Sequence, residues 1–278
     1  MQDACVSLLS DFGTRDVYVG VMKAVLARIA PRALLIDLTH EIPRGDIRQA
    51  AFRLWQALPY VPAGTIFLAV VDPGVGTSRR PLAVRAEGFS CVGPDNGIFT
   101  YVLANQRNAR AVVIDRPGLS ASATFHGRDV FAPAAGLLAA GTELERIGAE
   151  AADPARIPWP LLSLHSRDHS VRGEALFADW FGNIITSIGR LIRLDSNVRL
   201  EPWVPSEWAP LEVTSSRFRV LLGGGREIPV VRTYGEVRAG QPLAYIGSDG
   251  LLEIAVNQGS AAEALGLAAG SEINLSWQ

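Results

Sequence analysis

Residues 65–80 of the chain read TIFLAVVDPGVGTSRR. The first part, 65–71, is a continuous apolar run, which is typical of a parallel strand buried on both faces of a sheet. Asp72 follows this run directly, and a glycine-rich turn then leads to Arg79 and Arg80. Because ligands of open α/β sheets bind beyond the carboxyl ends of the strands, we expect Asp72 to face a ligand. The alternative for Asp72 is that Asp-Pro-Gly simply initiates a turn.

Polar residues follow three other segments in the same half of the chain. A strand predicted over 5–10 leads into an acidic turn, a strand over 33–38 leads into a Thr-His-Glu sequence, and a further polar cluster occupies 93–97. Strand ends on the same edge of a parallel sheet lie close together. The sequence therefore predicts that these clusters line one pocket.

Two of these clusters also permit simpler interpretations. Asp11 and Asp16 precede a helix predicted over 17–30, so either carboxylate is a candidate helix cap. Asp37, His40 and Glu41 are metal-ligand types, but three clustered residues without a separated fourth ligand are weak evidence for a metal. We therefore predict no metal site.

Composition excludes several classes of protein. The chain has 278 residues, 26 Lys and Arg, 28 Asp and Glu, and a formal net charge of −2. No basic cluster stands out, so a nucleic-acid partner is not predicted. No apolar run approaches the roughly 18–20 residues that a bilayer helix needs, and the first residues lack the basic region of a secretory signal. We expect a cytoplasmic protein whose two cysteines, Cys5 and Cys91, are buried free thiols.

The pattern of the sequence changes near residue 150. Residues 1–150 alternate apolar runs with helical segments such as 46–58 and 129–140, which predicts an α/β domain with a mostly parallel sheet and crossover helices. Residues 151–168 are rich in proline and poor in periodic positions, so we interpret them as a linker. Short alternating runs broken by glycines predict a smaller all-β antiparallel domain, a sandwich or barrel, over 169–278.

Several motifs along the chain together resemble one family. The resemblance is to the S-adenosyl-L-methionine hydroxide adenosyltransferases, which are relatives of the bacterial fluorinases and chlorinases. The motifs, in chain order, are Asp11-Phe12-Gly13 with Asp16, Asp37-Leu38-Thr39-His40, residues 71–77 (VDPGVGT), Gly93-Pro94-Asp95-Asn96-Gly97, Phe125-His126-Gly127-Arg128-Asp129, Phe181-Gly182-Asn183, Thr233-Tyr234 and residues 257–262 (NQGSAA).

This resemblance implies an enzyme that splits S-adenosyl-L-methionine (SAM) into adenosine and L-methionine, by attack of water or hydroxide on the ribose 5′ carbon. It implies a catalytic Asp, Arg and His, which fall on Asp72, Arg79 and His126, with Arg80 as the rival of Arg79. No cofactor is implied, because SAM is the substrate.

Elementary chemistry makes these three residue types reasonable. The leaving thioether is neutral and needs no acid, so the difficulty lies in the nucleophile. Bulk water has a pKa of about 15.7, and forming free hydroxide near pH 7 would cost roughly 12 kcal/mol. A base that accepts the proton as the carbon–oxygen bond forms contributes about 100- to 10,000-fold. Asp72 and His126 are both candidates for that base, and the sequence leaves the choice open.

The same residues have alternatives outside catalysis. His126 precedes a predicted helix and could serve as its N-cap, while Arg79 and Arg80 could be solvated surface charges. Gly74 and Gly76 do not indicate a nucleoside-triphosphate loop, because no Gly-Lys-Ser/Thr follows them.

The resemblance also implies the residues that bind the substrate. Asp11 corresponds to the carboxylate that holds the ribose diol, and a carboxylate accepts two hydrogen bonds readily. Asp16 matches an acid that contacts the methionine ammonium. The resemblance assigns the other contacts as follows: Asp179 as the partner of Asp16, Asn183 on the adenine edge, Tyr234 stacked on the base, Gln258 offering backbone groups to it, and Ser248 near the methionine carboxylate. Asp249 replaces the arginine that follows this serine in the halogenases.

Two other functions are weighed against hydrolysis. The halogenases carry a tyrosine where Asp72 stands and an inserted loop that is not found between Asp95 and His126, and an anionic Asp72 would repel a halide. The second alternative is an adenosine-binding protein that has lost catalysis, against which the complete set of three catalytic residue types argues. The family further implies a homotrimer, in which the all-β domain of one subunit completes the adenosine pocket of its neighbour.

Overall fold

The computed structural model describes residues 3–115, 122–194, 197–215 and 217–278. The chain divides into two units, Met1–Ile157 and Pro158–Gln278. The boundary between the units falls within the segment 151–168, and residues 162–165 of that segment form a strand of the second unit.

The first unit is built on a seven-stranded sheet flanked by helices. Its elements are β1 (Cys5–Ser10), α1 (Tyr18–Ile29), β2 (Leu34–Thr39), α2 (Ile47–Ala57), β3 (Thr65–Val70), β4 (Pro81–Ala86), β5 (Phe89–Pro94), β6 (Arg110–Ile114), a π-helical turn (Gly127–Phe131) that runs into α3 (Ala132–Ala139), and β7 (Gly148–Glu150). The strand order is β2-β1-β3-β5-β4-β6-β7. The predicted α/β class of this half of the chain is therefore confirmed.

The sheet is mixed, which corrects the prediction of a mostly parallel one. Strand pairs β1–β2, β1–β3 and β3–β5 are parallel, whereas β4–β5, β4–β6 and β6–β7 are antiparallel. A parallel connection needs a crossover of a dozen or more residues. Strands β4 and β5 are joined by only Glu87 and Gly88, and Gly88 has the positive φ of +81° that a tight hairpin requires.

Alternate residues of the strands pack on opposite faces of the sheet. Leu8 of β1 lies in the core beneath α1 and α3, whereas Leu9, the next residue, lies in the core beneath α2. Met22 of α1 and Leu54 of α2 are fully buried in these two layers. Burying one such side chain stabilises the fold by about 1.5–3 kcal/mol, so the layers hold the strand ends in fixed positions.

The strands described in the second unit pair in antiparallel fashion, and one short α-helix and three 3₁₀-helical turns accompany them. Its elements are β8 (Leu162–His165), β9 (Ser170–Ala178), β10 (Ile184–Thr186), β11 (Leu191–Arg193), β12 (Val198–Leu200), β13 (Leu211–Val213), β14 (Phe218–Leu222), β15 (Arg226–Pro229), β16 (Pro242–Ile246), β17 (Leu252–Val256), α4 (Ala261–Leu265) and β18 (Glu272–Trp277). Strands β11, β12 and β13 form a small separate sheet.

The main sheet of the second unit nearly closes into a barrel. Its order is β15-β14-β18-β9-β10-β17-β16, with β8 added on β9. Val230, directly after β15, forms a bridge with Ala244 of β16, so the two edge strands meet. Closure of this kind removes exposed strand edges. The all-β antiparallel prediction for this half of the chain is confirmed.

The state of the two cysteines and the character of the helices can be compared with the expectations from the sequence. Cys5 and Cys91 are buried free thiols, and burial raises the pKa of Cys91. No helix within the described ranges has both the length and the apolar character that crossing a bilayer demands.

Candidate active site

Asp72 lies at the end of β3, where the backbone is fixed on both sides. The side chain of Asn96 donates to the carbonyl oxygen of Val71 over 2.9 Å, and the backbone N–H of Val75 donates to the carbonyl oxygen of Asp72 over 3.2 Å. The backbone therefore makes the turn that the sequence predicts. The Asp72 carboxylate takes no part in that turn and is only 4% exposed.

Arg79 binds the Asp72 carboxylate in a bidentate manner. Its Nε donates to Oδ1 of Asp72 over 3.1 Å and its Nη2 donates to Oδ2, while Nη1 donates to the carbonyl oxygen of Arg80 over 3.2 Å. The Arg79 side chain is 7% exposed, and its guanidinium lies 5.2 Å from the ring centre of Phe131. A surface role for Arg79 is therefore wrong.

His126 completes a group of three. Its Nδ1 lies 2.9 Å from Nη2 of Arg79, and the residue is buried. His126 occupies the N-cap position of the π-helical turn, but its side chain makes no capping hydrogen bond. The capping alternative for His126 is therefore wrong. Because a guanidinium only donates, Nδ1 accepts, and a neutral His126 carries its proton on Nε2.

Two glycines allow the loops of this group to approach. Gly76 has φ +80°, and a Cβ there would lie 2.7 Å from the carbonyl oxygen of Ala123. A Cβ on Gly127 would lie 2.8 Å from the sulfur of Met22. Real Cβ atoms do not make such contacts. The missing side chain of Gly76 therefore lets the loop that carries Arg79 meet the segment that carries His126, and that of Gly127 lets this segment pack on α1.

Arg80, the rival of Arg79, points to other partners. Its Nε donates to Oδ2 of Asp95 over 2.7 Å, and its Nη1 donates to Oδ1 of Asp153 over 2.9 Å. The hydrogen bond with Asp153, followed by that with Asp95, raises the pKa of Arg80. Asp95 also accepts from the backbone N–H of Ala155. Arg80 thus attaches the residues after β7 to the end of the sheet, and the structure leaves Arg79 as the arginine of the group.

Asp11 and Asp16 differ in their surroundings. Oδ2 of Asp11 accepts from the backbone N–H of Gly45 over 2.9 Å, and a Cβ on Gly45 would lie 3.7 Å from Cβ of Pro73. Asp11 therefore lies near the loop that begins at Asp72. Asp16 is exposed. Helix α1 has Val17 as its N-cap and no side-chain capping bond, so the capping alternative for both aspartates is wrong.

The Asp37–His40 cluster is a hydrogen-bond chain within the fold. Lys23 donates to Oδ2 of Asp37 over 2.5 Å, Oδ1 of Asp37 lies 2.9 Å from Nε2 of His40, and Nδ1 of His40 lies 2.8 Å from Oγ of Ser10. Desolvation raises the pKa of Asp37, but the hydrogen bonds from Lys23 and His40 outweigh it and lower that pKa. Glu41 accepts from Thr14 instead. Within the ranges that the structure describes, no cluster of three metal-ligand side chains is found.

The sequence did not predict the two residues at the ends of this hydrogen-bond chain. Ser10 is completely buried at the end of β1, and Lys23 reaches Asp37 from α1. The position of Ser10 at the polar end of a mostly apolar strand is the feature of the sequence that could have indicated it. No feature of the sequence indicated Lys23, because its partner Asp37 lies on a different element.

The predicted residues of the second unit form a group of their own. Oδ1 of Asp179 accepts from the backbone N–H groups of Phe181 and Asn183, both over 2.9 Å, and Oδ2 accepts from Nδ2 of Asn183 over 3.0 Å. Nδ2 of Asn183 also donates to the hydroxyl of Tyr234 over 3.2 Å. Asp179 therefore holds the turn between β9 and β10, and this turn presents Trp180 and Phe181, which are 95% and 76% exposed.

Two motifs of the second unit meet at this turn. The backbone N–H of Ala262 donates to the carbonyl oxygen of Gly182, and a Cβ on Gly182 would lie 2.4 Å from Oγ of Ser260. Residues 181–183 thus contact residues 260–262. Gln258 is exposed and has a φ of +58°, unusual for a residue other than glycine. Ser248 is exposed in the turn between β16 and β17.

The structure thus brings together Asp72, Arg79 and His126 in the first unit, and Asp179, Asn183 and Tyr234 in the second. Asp11 lies near the first group. Ser248 and Gln258 form no hydrogen bond with Asp179, Asn183 or Tyr234 among the described contacts.

Comparison with known proteins identifies the family. Residues 6–148 match the SAM hydroxide adenosyltransferase N-terminal domain, and residues 173–274 match the C-terminal domain of the same family. An (R)-S-adenosyl-L-methionine hydrolase of Thermus thermophilus is 45% identical over 97% of this chain and 98% of its own, and one of Salinispora tropica is 37% identical over 97% of each. A fluorinase of Actinopolyspora mzabensis is 26% identical over 97% of this chain and 96% of its own.

Solved structures agree with this result. A crystal structure of a conserved protein from Thermotoga maritima matches with a TM-score of 0.83 and 34% identity, covering 98% of this chain and 99% of that one. A conserved hypothetical protein from Thermus thermophilus matches with a TM-score of 0.74 and 42% identity over 98% of this chain and 99% of that one. The chain belongs to the SAM hydroxide adenosyltransferase family.

Proposed function

We propose that the protein hydrolyses S-adenosyl-L-methionine to adenosine and L-methionine. The observation that carries the proposal is the buried group of Asp72, Arg79 and His126, in which the guanidinium of Arg79 binds both other side chains. Relatives named (R)-S-adenosyl-L-methionine hydrolase support it over nearly the whole chain. From their name we also propose that the substrate is the epimer with R configuration at sulfur.

The reaction forms one bond and breaks one. Water attacks the ribose 5′ carbon, the carbon–sulfur bond breaks, and its electron pair returns to sulfur, which turns the sulfonium into the neutral thioether of methionine. The water also loses one proton, which is finally released to solvent. Since the leaving group needs no acid, the protein has to position the water and to accept its proton.

Asp72 is the proposed proton acceptor. His126 offers a lone pair only on Nδ1, and that atom already accepts from Arg79. Arginine does not lose its proton in proteins, so this lone pair is not released by a proton shift. A carboxylate has about four lone-pair sites, and the hydrogen bonds from Arg79 use two of those on Asp72. Asp72 thus retains accepting capacity that His126 lacks.

Arg79 and His126 then have supporting roles. The guanidinium of Arg79 holds Asp72 in one orientation and stabilises the negative charge that develops on the attacking oxygen, as preorganised donors do. His126 holds Arg79 from its other side through Nδ1. Burial of the group strengthens each of these interactions relative to water.

The substrate contacts are carried over from the resemblance. We propose Asp11 for the ribose diol, Asp16 with Asp179 for the ammonium, and Ser248 for the carboxylate. Asn183, Tyr234 and Gln258 are the proposed contacts of the adenine base. The three hydrogen bonds that Asp179 accepts within its own turn leave about one lone-pair site for a ligand.

The assembly and the location remain proposals of the same kind. We propose a homotrimer in which the all-β domain of one subunit completes the adenosine pocket of a neighbouring α/β domain. The exposed Trp180 and Phe181, held on a rigid turn, support a role of this turn in contacts outside its own unit. The cytoplasmic location stays a prediction from the sequence, and the proposed reaction uses no cofactor.

Product analysis tests the proposed function. Each sulfonium epimer of SAM is incubated with the purified protein, with and without chloride or fluoride, and the products are separated by chromatography. We expect adenosine and methionine in equal amounts from the R epimer, whatever the halide. A 5′-halogenated nucleoside would make the protein a halogenase, and binding of adenosine without any turnover would make it a binding protein.

A further inference from the structure

A chain of hydrogen bonds in the second unit runs from Asn183 to a buried carboxylate. Nδ2 of Asn183 donates to the hydroxyl of Tyr234 over 3.2 Å, this hydroxyl donates to that of Tyr245 over 2.7 Å, and the hydroxyl of Tyr245 donates to Oε2 of Glu253. Glu253 is buried on β17, and a Cβ on Gly247 would fall within 1.9 Å of its Oε1. The carboxylate is therefore confined beside β16.

The carboxylate sets the direction of this chain. Each tyrosine hydroxyl has one proton, so once Tyr245 donates to Glu253 it can only accept from Tyr234. Tyr234 in turn can only accept from its other neighbour, which has to be an N–H group. Burial, followed by the hydrogen bond with Glu253, raises the pKa of Tyr245, so its proton stays in place in neutral solution.

A second constraint acts on the same amide. Oδ2 of Asp179 lies 3.0 Å from Nδ2 of Asn183, and a carboxylate accepts without donating. Both hydrogens of the amide nitrogen are thus used within the protein. The oxygen Oδ1 accepts no hydrogen bond from any residue in the described ranges, and Asn183 is only 5% exposed. Asn183 therefore offers a ligand an acceptor and no donor.

We propose that Tyr245 and Glu253 are positioning residues that hold the Asn183 amide with its oxygen toward the ligand, so that the site selects a 6-aminopurine over a 6-oxopurine. This inference rests on the proposed function, since it takes the ligand of Asn183 to be the adenine base. The 6-amino group of adenine donates to Oδ1. The 6-oxo group of hypoxanthine would place an acceptor against an acceptor, which leaves both unpaired and costs affinity.

Paired binding measurements test this inference without depending on turnover. The dissociation constants of adenosine and inosine are measured by calorimetry for the wild type and for Tyr245→Phe. We expect the wild type to bind adenosine at least about 100-fold more tightly than inosine. In Tyr245→Phe the Tyr234 hydroxyl loses its acceptor and becomes free to donate to a rotated amide, so the hydrogen bond with Asp179 alone still holds the amide in its original orientation. The ratio should then fall about fivefold or more, the equivalent of one hydrogen bond.

Two further variants make the result specific. Tyr60→Phe removes a hydroxyl from a 72% exposed tyrosine of the first unit and should leave the ratio unchanged. Glu253→Gln keeps the shape of the side chain but is able to donate, which permits the chain to reverse, and it should lower the ratio as Tyr245→Phe does. It serves as the test if Tyr245→Phe does not fold.

The results that would overturn this inference differ from those that would overturn the proposed function. Equal binding of adenosine and inosine by the wild type, or binding of neither, would overturn the inference, as would an unchanged ratio in both Tyr245→Phe and Glu253→Gln. Equal weakening of both nucleosides in these variants would reveal a merely structural role and would also overturn it. If the ratio falls as expected while SAM is not hydrolysed, the proposed function fails and the inference about Asn183 stands.

Discussion

Nη2 of Arg79 lies 2.9 Å from Nδ1 of His126 and also donates to the carboxylate of Asp72. One nitrogen thus connects two residues that are 54 positions apart in the sequence. Because the guanidinium does not titrate, it fixes the tautomer of a neutral His126 and occupies the lone pair of the imidazole. This relationship is the reason why we propose different roles for Asp72 and His126.

The first prediction compares these two residues. His126→Asn places an amide oxygen where Nδ1 could still accept from Arg79, so we expect kcat to fall by no more than about 100-fold. Asp72→Asn removes the proposed proton acceptor and should lower kcat by about 1,000-fold or more. Steady-state kinetics of both variants with SAM provide the comparison. The reverse order of damage would assign proton acceptance to His126.

The second prediction uses two adjacent arginines. Arg79→Lys loses the bidentate contact with Asp72, which a lysine cannot reproduce, and we expect kcat to fall by about 100- to 1,000-fold. Arg80→Lys is the matched control. It disturbs only the contacts with Asp95 and Asp153, and its kcat should stay within about threefold of the wild type. Equal losses in the two variants would argue against the assignment of Arg79.

The third prediction concerns the close approach of β3 and β5. A Cβ on Gly93 would lie 2.2 Å from the carbonyl oxygen of Ala69, and neither backbone can shift without disturbing the sheet. Gly93→Ala should lower the free energy of unfolding by about 2–4 kcal/mol. Gly20→Ala adds a Cβ with nothing within 4 Å in α1, and it should raise that free energy by about 0.5–1 kcal/mol.

Denaturant unfolding of both glycine variants gives the required values. A small effect of Gly93→Ala, within about 0.5 kcal/mol of the wild type, would show that this part of the sheet adapts more easily than its geometry indicates.

The fourth prediction concerns pH and the residue three positions after His126. The hydrogen bond from Arg128 lowers the pKa of Asp129, against a smaller opposing effect of desolvation. A carboxylate whose pKa is lower in the folded than in the unfolded protein stabilises the fold above its unfolded pKa, and this contribution is lost as the pH falls through the folded pKa. The unfolded value is about 3.9.

Asp129→Asn should therefore be less stable than the wild type by a constant amount between about pH 5 and 8. Below about pH 4 the difference in the free energy of unfolding should shrink. Urea unfolding at a series of pH values measures it. A difference that stays constant or grows toward pH 2 would contradict the role given to this carboxylate.

The sequence predicts local features of this protein better than long-range ones. Strand β1 was predicted with the same bounds that the structure shows, because a buried strand leaves a short apolar run with a polar end. The mixed character of the sheet escaped prediction, since the direction of β4 depends on a two-residue hairpin rather than on strand composition. The length of the connection between two strands decides whether they run parallel or antiparallel, and this length is known only once the bounds of both strands are known.

The candidate site shows the same division. The sequence predicts the Asp-Pro-Gly turn and the position of Asp72 at a strand end. It does not show which of Arg79 and Arg80 binds Asp72. What separates them is that Asp95 and Asp153 lie beside Arg80 after folding. The chain from Asn183 to Glu253 escaped prediction for a related reason: Tyr245 and Glu253 look like ordinary members of two neighbouring strands, and only their register pairs them.

Hydrolysis in water labelled with oxygen-18 shows whether water attacks the ribose 5′ carbon of the substrate. The protein is incubated with (R)-SAM in labelled water, and the adenosine and methionine are analysed by mass spectrometry. We expect one oxygen-18 atom in the 5′ hydroxyl of adenosine and none in methionine, and we expect Asp72→Asn to form almost no product. Unlabelled adenosine, a product other than adenosine, or undiminished labelling by Asp72→Asn would contradict this expectation.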